Sequence, residues 1–163
     1  MKALIIYASK YGTVADCAKQ LKSKLLGEAT LVDIKQMDQS LELTKFDTVI
    51  IGGSVYADHI SKALKSFCKS NLEVLCQKEL GLFLCCGLTD QANEFFENNF
   101  PPKLLEHAKI TLPFGSEARL EKMKFLDKTI LKAFAKGDFS PFKILEENID
   151  KFAEAFNSDY NPH

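Results

Sequence analysis

A chain of 163 residues with 46% hydrophobic content is long enough for one domain with a full core, and no apolar run in it approaches the roughly 20 residues of a membrane span. The net charge of −1 gives no reason to expect nucleic acid as a partner. Five cysteines without a C-x-x-C pair and three scattered histidines suggest neither a disulfide framework nor a zinc or other metal site, and fit a reducing cytoplasm.

In chain order, Lys2 to Ala8 is a short apolar run that reads as a buried first strand rather than a secretory signal. Ser9 to Gly12 is a loop. From Thr13, the apolar positions Val14, Cys17, Ala18, Leu21 and Leu25 recur at helical spacing, and Gly27 suits the stop. Strands follow at Ala29 to Ile34 and Phe46 to Gly52, then a helix from Ile60 to Asn71 with Leu64, Phe67 and Cys68 on one side. Glu79 to Cys86 is a fourth strand. A helix begins at Gln91 to Phe96, Pro101-Pro102 interrupts, and Lys103 to His107 is a helical turn before a fifth strand at Ile110 to Phe114.

The spacing next predicts one long amphipathic helix over Ala118 to Ala135. Leu120, Met123, Leu126, Ile130, Leu131 and Phe134 share a face, lysines spread around the other, and Phe125 sits among the lysines. Most helices of this kind pack on their own domain, but a basic amphipathic helix also suits peripheral contact with an anionic membrane or a partner. Gly137 to Pro141 is a break, and Phe142 to Phe156 is the last helix. Residues 1–157 thus read as a single α/β domain, and 158–163 as a loose tail. Strands alternating with helices imply a parallel sheet covered on both faces. Five strands suggest the order 2-1-3-4-5, with ligands beyond the carboxyl ends where the order reverses.

That places attention on three loops. In Ser9-Lys10-Tyr11-Gly12-Thr13-Val14, amide hydrogens at the start of a helix face outward with the positive end of its dipole, which suits a phosphate monoester. The Ser9 and Thr13 hydroxyls can donate to it, and Gly12 permits a close turn. Neither G-x-x-x-x-G-K-[ST] nor G-x-G-x-x-G is present, which argues against nucleoside triphosphates and dinucleotides. A plain helix cap explains the same hexapeptide about equally well.

Here the chain resembles the flavodoxin family, whose phosphate loop reads roughly S/T-x-T-G-x-T. Ser9 and Gly12 match it; Tyr11 and Val14 stand where threonines are usual. The resemblance implies a flavodoxin-like fold and a non-covalent FMN whose phosphate is held by Ser9, Lys10, Tyr11, Gly12, Thr13 and Val14. The ring would lie at Ser54, Val55, Tyr56 and Ala57, with Tyr56 stacked on it. By the same resemblance a peptide within Gly53 to Tyr56 turns toward the flavin N5 on reduction. Backbone of Cys86, Gly87 and Leu88 would hold the polar edge; the aromatic usual in that loop is absent, so Leu88 either covers the ring or leaves it open. The adjacent thiols Cys85 and Cys86 point to opposite faces and read as buried small apolar residues.

Gly52, Ser54, Val55, His59 and Phe67, together with a helix beyond the fifth strand, are also similar to menaquinone-dependent protoporphyrinogen oxidases. That likeness implies an FMN-dependent oxidoreductase with a quinone or other small-molecule acceptor. His59 would then serve as a proton carrier near the flavin, although a histidine at a helix cap or in solvent fits its position at least as well. Two further readings stand beside the oxidase: an electron carrier that docks on a redox partner protein, and a flavin-free binding module of the same fold.

Overall fold

The computed structural model describes residues 1–162. Five strands, β1 (Lys2–Ala8), β2 (Glu28–Asp33), β3 (Thr48–Ser54), β4 (Glu79–Cys85) and β5 (Ile110–Gly115), form an all-parallel sheet in the order β2-β1-β3-β4-β5. The expected order and both-sided covering are therefore present. Successive side chains of a strand face opposite ways, so the unbroken apolar runs of β1, β3 and β4 feed two cores. Leu4, Ile6, Val49, Ile51, Leu82 and Leu84 pack under α2 (Lys62–Ser70), α3 (Leu72–Leu75), α4 (Ala92–Asn99) and α5 (Pro102–His107). Ile5, Ile50, Phe83 and Phe114 pack under α1 (Thr13–Lys24) and α7 (Glu146–Asn157).

The second core is built on aromatic rings. Phe83 and Phe114 stack at 4.4 Å between centroids, and Phe152 of α7 meets Phe114 edge-on at 5.3 Å. Pairs of this kind contribute about 0.5–1.5 kcal/mol beyond the area they bury. Gly52, which pairs with Phe83 across the sheet, gives that ring its space: any Cβ there would overlap it. Gly52 and Gly53 are thus buried strand residues, and their glycine character serves packing rather than a mobile loop.

Three expected elements change. The helix over 118–135 is instead a short turn at Leu120–Lys122 followed by α6 (Phe125–Ala135). Its first residues are drawn into polar contacts: Arg119 pairs with Asp16 at 2.7 Å, and the Lys124 amide donates to the Tyr11 hydroxyl at 3.1 Å. No residue of α6 is buried, and Phe125 is 86% exposed, so this helix does not pack into its own core. The last helix starts at Glu146 rather than Phe142, because Lys143 to Leu145 run extended beside the end of β5. Ile144 bridges Gly115, and the Leu145 amide donates to the Phe114 carbonyl at 2.9 Å. The second helix starts at Lys62, capped by the Ser61 hydroxyl, which accepts from the Leu64 amide at 3.2 Å. Beyond α7, Asp159 pairs with Lys109 and Tyr160 lies against Gly27. The expected tail ends at His163, which lies outside the described residues. Among the described residues no helix is long and apolar enough to cross a membrane.

Overpacking a closed core costs roughly 1–3 kcal/mol. Gly52→Ala should therefore lower the urea midpoint by a corresponding amount, and adding Phe83→Leu should recover much of the loss. Additive destabilisation in the double variant would contradict this account of Gly52.

Candidate functional site at the carboxyl edge of the sheet

β1 and β3 are neighbours, but α1 leaves the first toward one core and α2 leaves the second toward the other. Their loops diverge and open a crevice between them. On the β1 side, Gly12 takes a φ of 94° as the residue before α1. The Ser9 hydroxyl oxygen accepts from the amides of Gly12 at 3.1 Å and Ala15 at 3.4 Å, so Ser9 does cap the helix. Thr13 and Val14 are buried, and Val14 packs with Cys17 and Leu21. The amide hydrogens of Thr13 and Val14 find no acceptor among the described residues.

On the β3 side, Tyr56 and His59 exchange both backbone hydrogen bonds, 2.9 and 3.0 Å, around Ala57 and Asp58 in the left-handed region (φ 45° and 66°). Such residues cost about 1–3 kcal/mol each and persist where their surroundings hold them. Asn99 of α4 holds this turn. Its side chain accepts from the Ile60 amide at 2.9 Å and donates to the Asp58 carbonyl at 2.9 Å. Gly53 is held in β3 and the Val55 amide donates to the Cys85 carbonyl at 3.0 Å. The Tyr56 ring lies edge-on to Tyr11, 5.9 Å between centroids, with the Lys10 ammonium 4.8 Å from its own centroid. Burial raises its phenol, which therefore stays neutral.

The third loop differs from expectation. The Cys86 amide donates to the Gly115 carbonyl at 2.9 Å and is engaged in the sheet, which leaves Gly87 and Leu88 as the donors facing outward. The Phe142 ring occupies the space where Gly87 lacks a Cβ, so an aromatic does reach this loop, from the far side of α6. Cys86 is pushed up to about 12 by burial, and Cys85, bonded to Cys17 at 3.9 Å between sulfurs, lies well above the usual thiol value. Both are neutral thiols on opposite faces of the sheet.

The segment after β5 arches over these loops. Asp127 of α6 accepts from both the Lys10 ammonium and the Tyr11 hydroxyl, and these two bonds hold its carboxyl below the usual range. The Arg119 guanidinium donates to the Tyr11 carbonyl at 3.3 Å and lies 2.7 Å from where a Gly12 Cβ would stand. Beneath the arch is a cavity of about 340 Å³ walled by Tyr11, Tyr56, Leu88, Met123, Phe134 and Phe142, among others. Ser54, Val55, Ala57, Cys86 and Gly87 border it too. Ser9, Lys10 and His59 do not: they line a second cavity, about 630 Å³, on the other side of Tyr56. His59 is thus not in the wall of the smaller cavity; it is exposed and hydrogen-bonded through Nδ1 to Lys65 at 3.1 Å. Arg119, Asp127, Asn99 and Phe142 escape the sequence reading because only the folded chain brings them to this edge. Among the described residues no three His, Cys, Asp or Glu side chains cluster as metal ligands.

The family model described as Flavodoxin domain matches residues 4–141. Similar folds include flavodoxin 1 from Bacillus cereus, 15% identical, covering 99% of this chain and 100% of that one at a TM-score of 0.57. The flavodoxin of Streptococcus pneumonia TIGR4 is 17% identical over 98% of this chain and 100% of its own, with a TM-score of 0.55. A flavodoxin from the domain Archaea is 14% identical over 96% and 99%, with a TM-score of 0.51. At these identities the likeness is one of fold. No curated protein matches the chain in sequence.

Hydrogen bonds to a charged group contribute about 1.5–3 kcal/mol. Asp127→Asn should therefore speed hydrogen exchange of the α6 amides roughly tenfold and leave those of β3 and β4 unchanged. Because the Asp127 carboxyl is lowered on folding, the tether is complete above the ordinary carboxylate range and is lost as pH falls through the lowered value. The wild type should accordingly loosen at α6 only below about pH 4. Identical α6 exchange in the variant at neutral pH would contradict the tether.

Proposed function

The chain belongs to the flavodoxin domain family, and we propose that it binds FMN non-covalently and passes electrons through it. The observation that carries the reading is the loop after β1, which opens α1 with unpartnered amide hydrogens at Thr13 and Val14 and sends Tyr11 into the wall of the cavity that Tyr56 also lines. In this reading the backbone of residues 10–14 holds the phosphate, with Arg119 adding a cation that can move from Asp16 toward it. Such charge-assisted bonds to a phosphate are roughly twice as strong as neutral ones. Tyr56 and Val55 cover one face of the ring, and the outer face meets Met123 and Phe134 of the arch instead of a neighbouring aromatic in the Cys86–Leu88 loop. The Gly87 and Leu88 amides meet the polar edge. Bound flavin supplies the one- or two-electron step; the protein's groups position it, exclude water and set its potential. The five free cysteines support a reducing compartment, the cytoplasm.

As a carrier, the protein would give or take electrons at a redox partner. An oxidase of the protoporphyrinogen type, with a quinone acceptor, is a second reading, favoured by the exposed apolar face of α6. There Leu126, Ile130 and Phe134 are 69%, 45% and 68% exposed, a surface suited to an apolar acceptor or to an anionic membrane. Protoporphyrinogen oxidation above the rate of free FMN would favour the oxidase; reduction of other proteins alone would favour the carrier. The Tyr11 and Val14 departures from the family loop support a flavin-free module only if the protein takes up no flavin.

Titration of flavin fluorescence should show FMN binding at least a hundredfold tighter than riboflavin, since only FMN has the phosphate. Tyr56→Ala should weaken FMN binding about tenfold or more. Equal affinity for the two flavins, or none for either, would overturn the reading.

A further inference from the structure

The larger cavity, on the other side of Tyr56 from the proposed flavin site, has a composition that the rest of the molecule does not predict. The chain carries 22 acids against 21 lysines and arginines, yet four lysines and no carboxylate line this one space. Three separate elements deliver them. Lys35 comes from the turn after β2, Lys62 and Lys65 from one face of α2, and Lys10 from the loop after β1. Lys10 is already paired with Asp127. Among the described residues Lys35, Lys62 and Lys65 form no salt bridge. Asp33, the nearest acid to Lys35 in sequence, turns its carboxylate back to the Lys35 amide at 2.9 Å. Three like charges are thus held around one concavity without an internal counterion.

Neutral donors complete the lining. The Ser61 hydroxyl oxygen accepts from the Leu64 amide, which leaves its proton free to donate inward. Ser54, at the end of β3, adds a second hydroxyl. The cavity's volume of about 630 Å³ lies in the range of small-molecule sites, about 300–1,000 Å³.

We propose that this cavity is a second ligand site, adjoining the proposed flavin site across Ser54 and Tyr56, that takes a small molecule bearing a phosphoryl group. Lysine ammonium groups are compact point charges without the planar fork that matches a carboxylate. Delivered from the turn after β2 and from α2, with two hydroxyls, they complement the spread charge of a tetrahedral dianion. The concave, bounded space favours a small molecule over an acidic protein surface. The site stands on the geometry of Lys35, Lys62 and Lys65 and holds whether or not flavin binds.

The test is an NMR titration of the full chain with inorganic pyrophosphate, in the absence and presence of excess FMN. Citrate and a glutamate-rich peptide serve as comparators. Saturable amide shifts centred on Lys35, His59 and Lys62 are expected, and they should persist with FMN present. The double variant Lys62→Gln with Lys65→Gln, at surface positions of α2 outside the core, should keep the native spectrum and weaken pyrophosphate binding at least tenfold. Shifts confined to residues 10–15 and abolished by FMN would overturn the proposal, because the anion would then be occupying the α1 loop. So would unaltered affinity in the double variant, or binding of citrate or the peptide as tight as that of pyrophosphate.

Discussion

Everything at the carboxyl edge depends on one constraint: β1 and β3 lie side by side while the helices that follow them leave on opposite faces of the sheet. Neither loop can close over the other, and the backbone groups at both strand ends stay open to the crevice. On one side of Tyr56 this leaves an apolar cavity beneath α6; on the other it leaves a cationic one. The Tyr56–His59 turn divides them, pinned from behind by Asn99.

The arch after β5 adds a different kind of constraint. No residue of its helix is fully buried, and the arch is held through Asp127, Arg119 and the backbone of Lys124. A segment attached by polar contacts opens at less cost than the sheet unfolds. Access to the apolar cavity is therefore separable from the stability of the fold, which rests on the stacked Phe83, Phe114 and Phe152 rings.

The five strands were legible because each central one is an unbroken apolar run, a pattern that only a sheet covered on both faces requires. The strand order and the three site loops followed from alternation of strands and helices. Residue roles within those loops were less legible. Gly53 looks like a loop residue in sequence, but its register with β4 makes it strand, and it takes the fold to show that Gly52 is glycine because the Phe83 ring fills its side-chain space. Cys86 looks like an available donor until the Gly115 carbonyl takes its amide. The helix expected over 118–135 forms only from Phe125 to Ala135 and has no buried residue, because periodicity reports which residues share a face, not whether a core lies beneath it. Asp127 and Arg119 appear in sequence as ordinary surface charges; their partners, Lys10, Tyr11 and Asp16, are more than a hundred positions away.

The most direct test of the account is the crystal structure of the protein soaked with FMN. The account predicts phosphate density within hydrogen-bonding distance of the Thr13 and Val14 amides, and the flavin ring between Tyr56 and the Met123–Phe134 side of the arch. Flavin density lying instead in the lysine-lined cavity, or no flavin density in the crevice at saturating FMN, would contradict it.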